Sequence, residues 1–248
     1  MNRLAIMVLF LTRIPLPFKV DYNEEEMAKG IKYMPLVGLL IGSLLYGLSY
    51  GMGIFEFDRG VVNVSVWLLY LGITGGLHID GLADTFDGIY SNRDRDRVLE
   101  IMKDSHIGAF GVLGIIAVMG FGIVNSHYLP ETAYLVFPIV GRSVSLLVSG
   151  RNIYARPDGM GKVFVDRCGN LEMAVGTISS SVVAAYFFGL PGLIGLLFSA
   201  AITLAMAKKV SSTVGGITGD TIGCSIELSQ ATFLFGLYSA TKIMAFLS

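Results

Sequence analysis

Seven apolar segments, each near the roughly 20 residues a helix needs to cross a bilayer, constrain this chain more than any other feature. They cover approximately residues 33–53, 61–78, 107–126, 132–150, 173–189, 192–207 and 221–246. Only 15% of the 248 residues are charged and 53% are apolar, whereas soluble domains carry about a quarter charged residues. The chain is therefore expected to be an all-α integral membrane protein of about seven transmembrane helices, with residues 1–248 forming a single polytopic domain. The connection Gly189-Leu190-Pro191-Gly192 leaves only a tight turn between the fifth and sixth spans.

The segment before the first span is different. Residues 1–18 hold a short apolar run interrupted by Arg13, with no small-residue cleavage site after it. That pattern predicts an interfacial or re-entrant N-terminal helix rather than a signal peptide. Asn23 to Glu26 has the composition of a helix start.

Positive charge sets the expected orientation. Arg3, Arg13, Lys19, Lys29 and Lys32 precede the first span, and further clusters lie between spans two and three, between spans four and five, and after span six. The alternate connections hold only Arg59. This alternation places the amino terminus and every polar connection on the cytoplasmic side of the cell membrane. The net charge of −1 offers no basic field for nucleic acid. Cys168 and Cys224 are too few for a disulfide framework.

The strongest chemical signal follows the second span: Gly75-Gly76-Leu77-His78-Ile79-Asp80-Gly81-Leu82-Ala83-Asp84-Thr85-Phe86-Asp87-Gly88. Asp80, Asp84 and Asp87 stand at i, i+4 and i+7, so a helix presents them on one face. Two carboxylates about 6 Å apart repel by roughly 3 kcal/mol at an effective dielectric near 20. A divalent cation relieves that repulsion, and oxygen-only ligands suit Mg²⁺ or Mn²⁺. Mg²⁺ held by a few carboxylates gives its other positions to water and phosphate oxygens. The alternative is a solvated charged helix start. His78 could orient or deprotonate a hydroxyl nucleophile, ligate metal, or simply be a hydrogen-bonded structural histidine.

A second signal is Gly215-Gly216-Ile217-Thr218-Gly219-Asp220-Thr221-Ile222-Gly223. A glycine-rich turn entering a helix offers backbone N–H groups to an anion, which makes Gly216, Thr218 and Gly219 candidate substrate contacts. Asp220 and Glu227, at i and i+7, are expected to meet the first acidic face and complete a metal site for one or two ions. A plain turn with a capping Asp is the alternative.

Other candidates are single residues. Arg142 lies inside the fourth span and needs an anion, either Glu227 or a substrate phosphate. Lys103 directly precedes the third span, and Arg97 and Glu100 can simply pair with each other. Arg156 and Lys162 sit in a polar loop with Tyr154 and could hold phosphate. Arg13 either snorkels to lipid headgroups or reaches substrate.

Together these stretches resemble one family, cobalamin-5′-phosphate synthase, also called adenosylcobinamide-GDP ribazoletransferase. Its marks are Thr12-Arg13-x-Pro15-x-Pro17, Pro35-Leu36-Val37-Gly38, the long Asp stretch, Asp96-Arg97-x2-Glu100-Ile101-Met102-Lys103-Asp104-Ser105, Gly108-x2-Gly111, the glycine-rich turn and Glu227-Leu228. The chain departs mildly from the pattern at Lys29, Cys224 and Gln230. The resemblance implies a Mg²⁺-dependent membrane enzyme. It would transfer the adenosylcobinamide-phosphate group of adenosylcobinamide-GDP to α-ribazole or its 5′-phosphate and release GMP.

On that basis Asp80, Asp84, Asp87, Asp220 and Glu227 are expected to hold metal. Arg142 and Lys103 would balance phosphate charge, and His78 or a carboxylate such as Asp84 would take the hydroxyl proton. Two rivals are a transferase of the phosphatidyl-alcohol kind and an ion or corrinoid transporter. The first usually has an Arg between its Asp pairs, and here none intervenes. The second tends to place charges near the midplane of repeated halves, which this chain lacks. Sequence leaves open whether the chain pairs with copies of itself.

Overall fold

The structure, a computed structural model, describes residues 2–247. Among them every regular element is helical. In chain order these are α1 (Asn2–Leu11), α2 (Glu24–Gly30), α3 (Met34–Ile54), α4 (Arg59–Thr74), α5 (Leu77–Tyr90), α6 (Arg95–Ile101), α7 (Ala109–His127), α8 (Thr132–Ser149), α9 (Lys162–Arg167), α10 (Asn170–Val214) and α11 (Gly219–Leu247). Four helical stretches are long and apolar enough to cross a membrane, or five if the bent pair α4–α5 counts as one span.

Local chemistry sets the ends. Asn23 caps α2 through hydrogen bonds from the amides of Glu25 and Glu26, as its composition predicts. Asp58 caps α4 in the same way, accepting from Gly60 and Val61. The apolar run expected over 61–78 ends early, at Thr74, and this corrects that boundary. Gly75 and Gly76 take left-handed φ of 61° and 73°, which residues with a Cβ rarely adopt, and the chain turns by 89° into α5. His78 and the Asp stretch therefore lie on a separate helix, across the end of α4.

The spans expected at 173–189 and 192–207 are the two arms of α10. Gly189, with φ 59° and ψ −138°, breaks the helix between them. A Cβ on Gly192 would run into the carbonyl of Ala184, so the arms double back against each other.

α8 is the central rod, buried along nearly its whole length. α3 packs on it closely because Gly38 and Gly42 carry no side chain: a Cβ at Gly38 would sit 2.6 Å from the carbonyl oxygen of Pro138. Gly47 and Gly51, the second small pair of α3, meet nothing within 4 Å of a Cβ. Trp67, Tyr70 and Phe137 form an aromatic cluster between α4 and α8, with Trp67 stacked on Phe137 at 5.1 Å. The N-terminal helix α1 is not peripheral to this packing, since Ile6, Met7, Val8 and Leu11 join the main core.

Candidate functional site

The residues of the two glycine-rich signals meet at one end of the bundle. Residues 153–155 run beside 215–217, with Tyr154 and Ile217 forming a parallel bridge. The amide of Ala155 donates to the carbonyl of Ile217 at 2.8 Å, and the amide of Ile217 donates to that of Ile153 at 2.9 Å. Gly216, at φ 155°, lets the strands approach, because a Cβ there would lie 2.5 Å from the Ile153 carbonyl oxygen. Thr218 then starts α11: its Oγ1 accepts from the Thr221 amide, and its own amide donates to Thr221 Oγ1. The turn is thus largely occupied by its own hydrogen bonds. It engages the amides of Ile217 and Thr218, positions Asp220 and leaves Gly219 lining the cavity.

Asp220 faces α5 closely enough that a Cβ on Gly81 would meet the Asp220 backbone at 2.8 Å. Its carboxylate accepts from Thr218 Oγ1 at 3.2 Å and pairs with Arg156 at 3.1 Å. Arg156 also donates to the carbonyl of Met102 at 3.3 Å, and its Nε is buried without a partner. Asp80 and Asp220 line a cavity of about 440 Å³, with Arg156, His78 and Tyr154. The half-buried Asp84 stands one turn further along α5. Burial first, and then the charges of Asp220 and Asp80, push its carboxyl up to about 7, against the opposing pull of Arg156. The two acidic helices expected to meet do so through Asp80, Asp84 and Asp220.

Asp87 and Glu227 are used differently. The residue preceding α7 is Gly108, which has no side chain to cap with. Asp87 of α5 supplies the cap, accepting from the amides of Gly108 at 2.7 Å and Gly111 at 2.8 Å. Both its oxygens are so engaged. Glu227 lies two turns below Asp220 in a closed polar network. Tyr70 donates to it at 2.5 Å and Gln230 Nε2 at 3.2 Å. Arg142 completes the network by donating to Gln230 Oε1 at 2.7 Å. Among the described residues, no group of three or more His, Cys, Asp or Glu side chains is drawn together as a ready metal cage.

Arg142 is wholly buried and does not line the cavity, so the expectation that it meets substrate phosphate is corrected: its partners are Gln230, Tyr70 and His78. Arg142 Nη2 lies 3.4 Å from His78 Nδ1. A guanidinium only donates, so Nδ1 accepts and a neutral ring carries its proton on Nε2. That Nε2 is buried and has no hydrogen-bond partner.

The remaining candidates are scattered. Lys103 is exposed and lines a separate groove with Arg95 and Pro157, which shares only Arg156 and the neighbouring backbone with the site. Lys162 pairs with Asp166 at 3.0 Å. Arg13 is exposed and lies against Gly75, bracing the bend between α4 and α5. Arg97 and Glu100 pair at 2.7 Å, as their spacing predicts. Sequence reasoning missed Tyr70 and the structural use of Gln230. A lone Tyr in an apolar span carries no signal until Glu227 is seen opposite it.

Comparisons with known proteins agree on one family. The model described as Cobalamin-5-phosphate synthase matches residues 3–238. A curated adenosylcobinamide-GDP ribazoletransferase of Alkaliphilus oremlandii is 42% identical over 247 residues, covering 98% of this chain and 100% of the relative. That of Acetivibrio thermocellus is 43% identical, covering 96% and 98%. That of Clostridium acetobutylicum is 38% identical, covering 96% of each. No solved structure matches.

Proposed function

From the premise that the chain belongs to the cobalamin-5-phosphate synthase family, we propose that it is a membrane transferase acting on adenosylcobinamide-GDP and α-ribazole or its 5′-phosphate. All 248 residues then form one domain. The spans are α3, α4, α7, α8, the two arms of α10, and α11. The amino terminus and the site lie on the cytoplasmic side of the cell membrane. The gathering of Asp80, Asp84, Asp220 and Arg156 at one end of the bundle, beside charged connections, supports that sidedness.

The observation that carries the reading is the cavity lined by Asp80, Asp220 and Arg156, with Asp84 one turn along α5 from Asp80. These carboxylates are not gathered into a ready cage, and Arg156 already pairs with Asp220, but oxygen donors suit Mg²⁺, which needs few protein ligands when it shares a diphosphate. Asp80, Asp84 and Asp220 would hold it. When bound, the ion supplies charge neutralisation on the diphosphate oxygens. The acceptor's 3′-hydroxyl oxygen attacks the phosphorus attached to cobinamide. The bond from that phosphorus to the GMP oxygen breaks, and the hydroxyl proton passes to a carboxylate. Asp84, half-buried one turn from Asp80, is placed to take that proton. Arg156 stabilises charge on the transferring phosphoryl group. His78, with Nδ1 engaged by Arg142, acts as a hydrogen-bond donor and not as the base. Lys103 lies in the groove beyond Arg156 and would balance charge on the guanylate as it leaves.

The direct test is GMP release by purified protein given both substrates, with and without Mg²⁺. GMP formed only with both substrates and metal supports the assignment. No GMP from folded protein overturns it.

A further inference from the structure

We infer that the cavity among α1, α5, α9 and α11 receives the flat aromatic base of the acceptor nucleoside, held by Phe10 and Phe164; this rests on the reaction proposed above. The two substrates differ greatly in size. The donor carries a corrin macrocycle and a guanine nucleotide, whereas the acceptor is a benzimidazole riboside. At about 440 Å³, the cavity is at the small end of ligand pockets, which run from about 300 to 1,000 Å³. It has room for a nucleoside.

Its lining is divided as that nucleoside is divided. Phe10, Leu11, Met34, Phe164 and Ile226 give the lining its apolar part, and Asp80, Asp220 and Arg156 its charged part. A benzimidazole is apolar around its outer edge and buries well on such a wall. Guanine has an edge of amide and amino groups that would lose its hydrogen bonds there. With the base on the apolar wall, the ribose points toward the carboxylates. Phe10 and Phe164 pack against each other with ring centroids 5.2 Å apart and planes 30° apart, so each braces the other at the apolar part of the lining. Phe10 comes from α1, which gives the N-terminal helix a part in acceptor recognition.

Two measurements on the full chain in lipid nanodiscs test this: binding of α-ribazole alone by equilibrium dialysis, and KM for each substrate. Phe10→Leu and Phe164→Leu keep the wall apolar but remove the rings. Phe121→Leu, in the Phe121–Phe235 pair away from the cavity, is the control. Loss of stacking weakens α-ribazole binding about tenfold in both cavity variants. The KM for adenosylcobinamide-GDP stays within about twofold of wild type. If Phe164→Leu, at a buried position, does not fold, Phe10→Leu at the half-buried edge decides. The inference is overturned if wild-type protein does not bind α-ribazole, if the cavity variants bind it as tightly as wild type, or if only the donor KM rises. Intact α-ribazole binding without GMP release would overturn the reaction and leave the cavity assignment standing.

Discussion

Asp87 reaches from α5 to the amide of Gly111 in α7, 2.8 Å away, and so caps a helix to which it does not belong. A buried charge-assisted cap of this kind contributes about 1.5–3 kcal/mol. Asp87→Ala should therefore lower the thermal midpoint of the detergent-solubilised protein clearly, and the protein that remains folded should keep its Mg²⁺ response. A variant with unchanged melting but no Mg²⁺ dependence would return Asp87 to the metal site.

Asp84→Asn should do the reverse. It removes the candidate base and a candidate ligand while relieving repulsion with Asp80 and Asp220. Turnover should fall about a hundredfold or more, with melting unchanged or raised. Full activity in this variant would end the proposed role.

The raised pKa of Asp84 acts on activity and on stability in opposite directions. Turnover needs the ionised carboxylate, so activity should fall as pH drops and Asp84 takes up a proton. Stability runs the other way. The folded carboxyl binds its proton more tightly than the unfolded one, so metal-free protein loses stability as pH climbs from the unfolded value near 4 to about 7, and is level above. Mg²⁺ should accordingly raise the melting temperature more at pH 8 than at pH 5. Equal Mg²⁺ stabilisation at both would count against carboxylate ligation.

Arg142 and Glu227 offset each other through Tyr70 and Gln230. Removing one partner of such a buried set is destabilising by about 3–5 kcal/mol. Arg142→Met should be severely unstable, and Arg142→Met with Glu227→Gln should recover part of the loss. Thermal unfolding of the four-member cycle measures the coupling; simple additivity would mean the groups are independent.

How far the sequence could be read depended on the range of the interaction. The all-helical, apolar character of the chain and the helix start at Asn23 are short-range signals and were legible, although four or five helical stretches rather than seven are long and apolar enough to span. The end of the second span was not, because hydropathy runs smoothly through residues 75–78 while two left-handed glycines turn the backbone. The Asp80, Asp84 and Asp87 spacing correctly gave one face. It could not tell that the last of them leans past the face to cap α7, since that depends on Gly108 and Gly111 more than twenty residues on. Arg142 was expected to face an anion, Glu227 or a substrate phosphate, and instead donates to Gln230. The partner proved to be an amide, which a search for opposite charges passes over.

The bridge between Tyr154 and Ile217 has a consequence for synthesis. Arg156 is held next to it, and its carboxylate partner arrives only with Asp220. A ribosome-bound chain that has threaded its earlier helices into the bilayer still has Asp80 and Asp84 without that counterpart. The chemistry thus switches on with the last helix, so a prematurely terminated protein would occupy the membrane without being able to consume its substrates.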